Sequence, residues 1–145
     1  MRAVIQRVKN ADVKVDGKTT GEIDRGLLVL LGVGPDDTTK NADELLKKVC
    51  NLRIFRDENE KMNLSVKDID GEILVVSQFT LYADCQKGNR PSFVNAAPPE
   101  KANELYEYFK AQCAKEVKHV GSGIFGADMK VSLLNDGPVT IILEK

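Results

Sequence analysis

The stretch from Glu72 to Phe93, EILVVSQFTLYADCQKGNRPSF, decides how the rest of this chain is arranged. It opens with the continuous apolar run Ile73–Val76, which is typical of a strand covered on both faces. The run turns polar at Ser77 and Gln78 and then becomes a cationic, turn-forming loop. A buried strand with a polar end often holds a functional site, although such side chains also serve only to satisfy neighbouring backbone groups.

The composition predicts one ordinary globular domain over residues 1–145. Hydrophobic residues make up 42% of the chain and charged residues 30%, and a chain of this length buries one sizeable core. The net charge of −1 gives no general reason to expect nucleic-acid binding, which would need a local basic patch. No apolar run approaches the ~18 residues of a membrane span, so we expect no membrane association.

The cysteines and the first residues indicate a reducing compartment. Cys50, Cys85 and Cys113 are odd in number and far apart, which argues against a disulfide framework and against a structural zinc site. The first ten residues, MRAVIQRVKN, contain charges and no apolar core of a signal peptide. We therefore expect a cytoplasmic protein.

Several further stretches have the patterns of strands. Val13 and Val15 alternate with polar neighbours, and the following Asp16-Gly17 pair is a strong signal for a hairpin turn. Asn135–Pro138 has the composition of another turn, and the region from Gly121 to Gly126 that of a loop. Besides the strand that opens at Glu72, the expected strands are Arg2–Val8, Ala11–Val15, Thr19–Ile23, Gly26–Val33, Leu52–Phe55, Asp128–Leu134 and Val139–Leu143.

Two helices are expected in separate parts of the chain. The first follows from apolar residues with the spacing of one helical face, Ala42, Leu45, Leu46 and Val49. It should cover Thr39–Cys50, with Thr38 or Asp37 as its cap. The second should open at Pro98-Pro99, because proline is tolerated in a first turn, and run to about Val117. Strands joined by turns, with separate helices, predict an α+β fold with an antiparallel or mixed sheet and the helices on one face.

The sequence disfavours several familiar chemistries. The single histidine, His119, has no partner at metal-binding spacing, and a lone histidine is more often structural than catalytic. Gly121, Gly123 and Gly126 fit the G-x-G-x-x-G spacing, but a strand rather than a helix is expected after them. We expect neither a cofactor nor a metal.

A site made of hydroxyl and backbone groups remains. Thr80 and Ser77 are weak nucleophiles without a base, whereas backbone N–H groups near Phe79 and Thr80 would suit a developing oxyanion. Gly137-Pro138 is a candidate for a cis peptide bond that would set two carbonyls side by side as a rigid recognition edge, although the sequence alone favours an ordinary turn.

Two motifs, SQFTLY at 77–82 and NDGPVT at 135–140, resemble the D-aminoacyl-tRNA deacylase family of bacteria and eukaryotes. The segments MRAVIQRV, GLLVLLGV, NRPSF and ADMKVSL extend the resemblance over essentially the whole chain. It implies a single α+β domain with a barrel-like sheet and two main helices packed on one side. It also implies a homodimer with its site at the subunit interface, and hydrolysis of the ester that joins a D-amino acid or glycine to the 3′-terminal adenosine of tRNA.

The resemblance assigns roles by position. The pocket and its catalytic groups would be Ser77, Gln78, Phe79 and Thr80. Gly137 and Pro138 would enter from the partner subunit, hold the substrate's amino group and leave no room for an L side chain. Arg7 would brace this motif, and Phe125 and Met129 would lie near the adenosine pocket.

The mechanism and the tRNA contacts follow from the same resemblance. We favour assistance by the terminal 2′-OH of the tRNA, since nothing in the sequence activates Thr80; a covalent Thr80 nucleophile is the alternative. The expected phosphate contacts are Lys87 and Arg90, followed by Arg53 and Arg56. The competing hypotheses are a non-catalytic module that binds a tRNA end or a nucleotide, and a general esterase.

Overall fold

A computed structural model describes all 145 residues of the chain. Neither of its helices is long and apolar enough to cross a membrane. The elements, in chain order, are β1 (Arg2–Val15), β2 (Lys18–Ile23), β3 (Gly26–Gly32), α1 (Thr39–Asn51), β4 (Phe55–Arg56), β5 (Met62–Leu64), β6 (Glu72–Ser77), a 3-10 helix (Phe79–Tyr82), α2 (Pro99–Cys113), β7 (Val120–Ser122) and β8 (Lys130–Glu144).

A mixed sheet of 6 strands forms the body of the molecule. Its order is β2-β1-β3-β6-β7, with β8 paired to β1. The pairs that β1 makes are antiparallel, whereas β6 is parallel to β3 and to β7. The far edges approach each other, since Thr20 Oγ1 lies 3.3 Å from the Ser122 carbonyl. The sheet is therefore a nearly closed barrel, and the predicted α+β fold with its mixed, barrel-like sheet is confirmed.

Strand β6 is buried on both faces, as its apolar run predicts. Ile73 and Val75 pack in a large core with residues of both helices, among them Leu45 and Phe109. Leu74 and Val76 point to the opposite face and pack in a smaller core with Val8, Leu28 and their neighbours. The period of two along the strand thus divides its side chains between two cores, and both helices cover the same one.

The turn and cap signals predict local structure well. Asp16 and Gly17 have φ values of 50° and 77°, so the β1–β2 hairpin turns with the positive φ angles that such a pair supplies. Helix α1 begins after Thr38, whose N–H donates to Asn41 Oδ1 at 2.8 Å.

Some expected boundaries of strands and helices are wrong. The two expected N-terminal strands form one strand, β1, because β8 pairs along nearly its whole length. The expected strand Leu52–Phe55 is instead the short β4, Phe55–Arg56, which pairs with β5. Helix α2 ends at Cys113 rather than near Val117.

Two expected breaks near the C-terminus are also wrong. Gly121 belongs to β7 and not to a loop, because it pairs with Leu74 of β6. A Cβ at this position would lie 3.0 Å from Leu74 Cδ1 and 3.2 Å from the Glu22 nitrogen, so the close packing there favours glycine. The expected turn Asn135–Pro138 is a bulge inside β8. Asn135 lies opposite Val8 and Thr140 opposite Gln6, so β8 carries extra residues there without reversing direction.

We predict that Leu74→Ala lowers the free energy of unfolding by about 2–5 kcal/mol, because it leaves a cavity in the smaller core. The control Met62→Ala truncates a side chain that is 58% exposed and should change that free energy by less than about 0.5 kcal/mol. Urea unfolding of both variants checks this, and equal losses would contradict the buried position of β6.

Candidate active site

The polar end of β6 lies at the edge of the barrel. The Gln78 N–H donates to the Leu31 carbonyl at 2.8 Å, which holds this end against β3. The chain then turns at once into the 3-10 helix, so Thr80 lies on a helical turn rather than on an extended strand tip. Ser77 and Gln78 are half-buried, whereas Phe79 and Thr80 are exposed.

A cavity of about 560 Å³ opens beside this strand end. Its volume is within the range of small-molecule sites, and its lining is mostly apolar. Among the residues named from sequence, it brings together Ser77, Gln78, Phe79, Phe125 and Met129. Thr80 does not line the cavity, but its hydroxyl accepts a hydrogen bond from Gln78 Nε2.

Two elements beside the cavity form hydrogen bonds with the same carbonyl of β6, that of Val75. Tyr106 of α2 donates its hydroxyl to the Val75 carbonyl at 2.9 Å, and the Gly123 N–H donates to the same oxygen at 3.4 Å. The Tyr106 ring lies 6.1 Å from the ring of Phe125. Burial raises the pKa of Tyr106 to about 12, so its hydroxyl keeps its proton and donates throughout the neutral range.

Two glycines shape the segment that carries Phe125 and Met129. A Cβ at Gly123 would overlap the sulfur of Met129, so only a glycine lets Met129 pack there. Gly126 has a φ of +78°, a conformation that glycine adopts without strain. The glycine spacing that resembles a nucleotide-binding motif therefore serves the packing of this wall.

The structure adds one aromatic residue that sequence reasoning missed. Phe93 lines the cavity, and its ring packs edge-to-face on that of Phe79 at 4.9 Å. Phe93 directly follows Ser92 in the chain. Ser92 and Asp84 exchange backbone hydrogen bonds of 2.8 and 2.9 Å, which close the basic loop between them. In the sequence, the only indication of this role is that Phe93 is an aromatic residue directly after a cationic loop. Its contact with Phe79 cannot be predicted locally, because it depends on the backbone pairing of Asp84 with Ser92.

The cavity contains no evident catalytic base. Asp128 is the one ionisable side chain in its lining, and its carboxylate is paired with Lys130 at 3.0 Å. His119 lies elsewhere, exposed at the meeting of β2 and β7, with Nε2 2.9 Å from the Glu22 carbonyl. The other polar groups in the lining are the Ser77 hydroxyl, the Gln78 amide and the backbone.

Gly137 and Pro138 lie outside this cavity. They are exposed on the bulge of β8, and the peptide bond between them is cis. Arg7 is only 4% exposed and holds the bulge: its Nε donates to the Asp136 carbonyl and its Nη1 to the Ile54 carbonyl, both at 2.6 Å. Within one chain the motif is held by Arg7, is exposed to solvent and does not line the cavity.

The cations named from sequence differ in their surroundings. Arg53 is engaged with the carbonyl and side chain of Asn63, and Arg56 is paired with Glu60 at 3.1 Å. Lys87 and Arg90 are exposed in the loop closed by Asp84 and Ser92 and make no ion pair. These two are free to meet a polyanion beside the cavity.

The chain is similar to known proteins over its whole length. The family described as D-Tyr-tRNA(Tyr) deacylase matches residues 4–144. A D-aminoacyl-tRNA deacylase of Thermosipho africanus is 61% identical over 144 residues, which is 99% of this chain and 97% of the relative. One of Geotalea daltonii is 63% identical over 144 residues, covering 99% and 96%.

Solved structures show the same fold. A protein described as c-Myc DNA Unwinding Element Binding Protein superposes with a TM-score of 0.95 at 46% identity, covering 100% of this chain and 99% of that one. A probable eukaryotic D-amino acid tRNA deacylase superposes with a TM-score of 0.86, covering 99% and 98%. The latter is only 17% identical, so it supports the fold alone.

We predict that Arg7→Ala lowers the free energy of unfolding by about 3 kcal/mol, since two carbonyls lose a charged donor. The control Arg25→Ala removes a guanidinium that lies 5.6 Å from the Phe55 ring and should cost less than about 1 kcal/mol. Hydrogen exchange adds a local readout, because the Val139 N–H bonds to Asn135 Oδ1 at 2.8 Å in the bulge. Unchanged exchange at Val139 would contradict the bracing role of Arg7.

Proposed function

The chain belongs to the D-Tyr-tRNA(Tyr) deacylase family and is a D-aminoacyl-tRNA deacylase, and we propose that two copies of it build each active site together. One copy supplies the cavity beside β6, and the other supplies the Gly137-Pro138 motif. The observation that carries this proposal is their separation: the motif is rigidly braced by Arg7, yet it faces outward and is absent from the lining of its own chain's cavity.

The surface around the motif supports pairing of two copies. Strand β8 pairs with β1 on one side only, so its other edge is open. Leu134 and Ile142 on this strand are 53% and 66% exposed. Open edges and exposed apolar side chains are features that soluble proteins usually cover with a partner. A homodimer through this face would bury them and carry each motif toward the other copy.

Selection of the D-ester follows from such an arrangement. The carbonyls of the motif would accept hydrogen bonds from the substrate's amino group and hold it in one orientation. With the amino group and the ester fixed, a D side chain points away from the motif, and an L side chain meets the backbone. A rigid wall that clashes with one hand separates substrates that attraction alone barely distinguishes. Glycine has no side chain to clash, so we expect glycyl-tRNA to be hydrolysed too.

The chemical step then needs little from side chains. Water attacks the ester carbonyl carbon, the carbonyl oxygen becomes an oxyanion, and the ribose oxygen leaves with a proton. The backbone N–H groups of Phe79 and Thr80 stand at the start of a helical turn, where N–H groups lack intrahelical partners and suit an oxyanion. The neighbouring 2′-OH of the terminal adenosine assists the proton transfers, because the cavity has no base of its own.

Matched D- and L-esters of one amino acid on the same tRNA test this function, with the purified chain and no added metal. We expect rapid loss of the D-ester and survival of the L-ester. Loss of both would leave a general esterase and contradict the chiral wall. Survival of both, with tRNA bound, would support a module that only binds a tRNA end.

We predict that Thr80→Ala keeps kcat/KM within about tenfold of the original value, since it removes only a positioning hydrogen bond with Gln78. Thr80→Val, which keeps the shape without the hydroxyl, should behave alike. Collapse of both variants to background, with folding and tRNA binding intact, would instead identify Thr80 as a nucleophile.

We predict that Lys87→Glu with Arg90→Glu weakens tRNA binding and flattens its dependence on salt. Each phosphate contact contributes about 0.7–0.9 to the slope of log affinity against log salt. The control pair Lys40→Glu and Lys47→Glu makes the same charge change on α1, away from the cavity lining. Equal slopes for both double variants would remove Lys87 and Arg90 from the tRNA-binding surface.

A further inference from the structure

A second cavity, of about 640 Å³, opens next to the C-terminal end of the 3-10 helix, where Tyr82 and Ala83 line it. Its polar lining includes Arg2, Tyr82, Asp84, Gln86 and Asn95. The mechanism above uses none of these groups. Because the first cavity is mostly apolar whereas the lining of this one is about equally polar and apolar, the two suit chemically different parts of a ligand.

The two cavities are neighbours along two segments of the chain. Phe79 lines the first and Tyr82 the second, and one turn of 3-10 helix separates these residues by about 6 Å. Ala96 lines the first and Asn95 the second. A strand of RNA whose last nucleotide occupies the first cavity therefore reaches the second with the nucleotide before it.

Arg2 is held in place but keeps donors to spare. Its Nη1 donates to the Leu81 carbonyl at 2.5 Å, its Nε is paired with Glu144, and its guanidinium lies 4.9 Å from the Tyr82 ring centre. Nη2 makes no hydrogen bond, and the side chain remains 33% exposed. A fixed guanidinium with free N–H groups is a ready donor to carbonyl and ring-nitrogen acceptors.

Asp84 and Asn95 complete a mixed set of donors and acceptors. Asp84 Oδ1 accepts the Gln86 N–H at 2.9 Å, which fixes the carboxylate and leaves Oδ2 free. Asn95 is exposed, and its amide can donate and accept. A carboxylate acceptor beside amide and guanidinium donors matches the edge of cytosine, which presents an amino donor next to two acceptors. Uracil presents a carbonyl oxygen where cytosine has the amino group.

We infer that this second cavity binds the nucleotide that precedes the terminal adenosine of the tRNA, with Asp84 accepting a hydrogen bond from the amino group of its cytosine. The inference rests on the proposed function, since it needs the terminal adenosine in the first cavity. It assigns Arg2, Asp84 and Asn95 a part in reading the 3′ end. The substrate class is then an aminoacyl ester on an RNA end whose penultimate base is cytosine.

The test compares D-aminoacyl esters on two short RNAs that end in CCA or CUA. We expect kcat/KM to be about tenfold higher for CCA, the size of one good contact to a base edge. Asp84→Asn should bring the ratio of kcat/KM for CCA to that for CUA to one or below, because the new amide can donate to the uracil carbonyl. Asn95→Ala should also lower this ratio. The control Asp24→Asn makes the same change at an exposed carboxylate outside both cavities, so its ratio should stay that of the unmodified chain.

Equal rates on CCA and CUA, or an undiminished ratio in both Asp84→Asn and Asn95→Ala, would overturn the inference. The D-aminoacyl ester of adenosine alone separates this failure from failure of the proposed function. Its hydrolysis by the unmodified chain, without any preference for CCA, would overturn the second cavity's role and leave the deacylase site intact. If the unmodified chain hydrolyses no D-ester, both the proposed function and this inference fall.

Discussion

The carbonyl of Val75 is the point on which the geometry of the site depends. It lies deep in β6, where an unpaired carbonyl is costly, and it accepts hydrogen bonds from the Tyr106 hydroxyl and the Gly123 N–H. These bonds fix both helix α2 and the segment that leads to Phe125 at the end of the strand, where the rings of Tyr106 and Phe125 lie 6.1 Å apart. Residues of the strand end, of α2 and of the Phe125 segment line the cavity, so its shape depends in part on these two hydrogen bonds.

Arg7 imposes the second constraint. A buried guanidinium requires acceptors, and the carbonyls of Asp136 and Ile54 supply them at Nε and Nη1. The bulge of β8 is thereby held outward while the strand continues to pair with β1 on both sides of it. The motif is therefore held firmly and lies outside the lining of its own chain's cavity, and this is the observation behind the proposal that a second copy completes the site.

Patterns of local origin predict much of this fold. The apolar run of β6, the Asp16-Gly17 turn and the helical spacing of α1 each report on near neighbours, and each is confirmed. The failures depend on distant contacts. Gly121 looks like a loop residue in sequence but is required by its closeness to Leu74, and Asn135–Pro138 looks like a turn but is kept in β8 by its pairing with β1. Phe93 joins the cavity only once Asp84 and Ser92 pair.

Mixing two defective variants tests most directly the claim that each site is shared. Ala96→Phe fills the cavity, and Gly137→Val disrupts the motif, where a Cβ would already lie 2.8 Å from Val139 Cγ2. Each variant alone should fail to hydrolyse the D-ester selectively. If the site is shared, refolding the two together should restore D-selective hydrolysis, since an intact cavity then meets an intact motif from the other chain. Mixed dimers that form but regain no selectivity would contradict the claim and place the complete site within one chain.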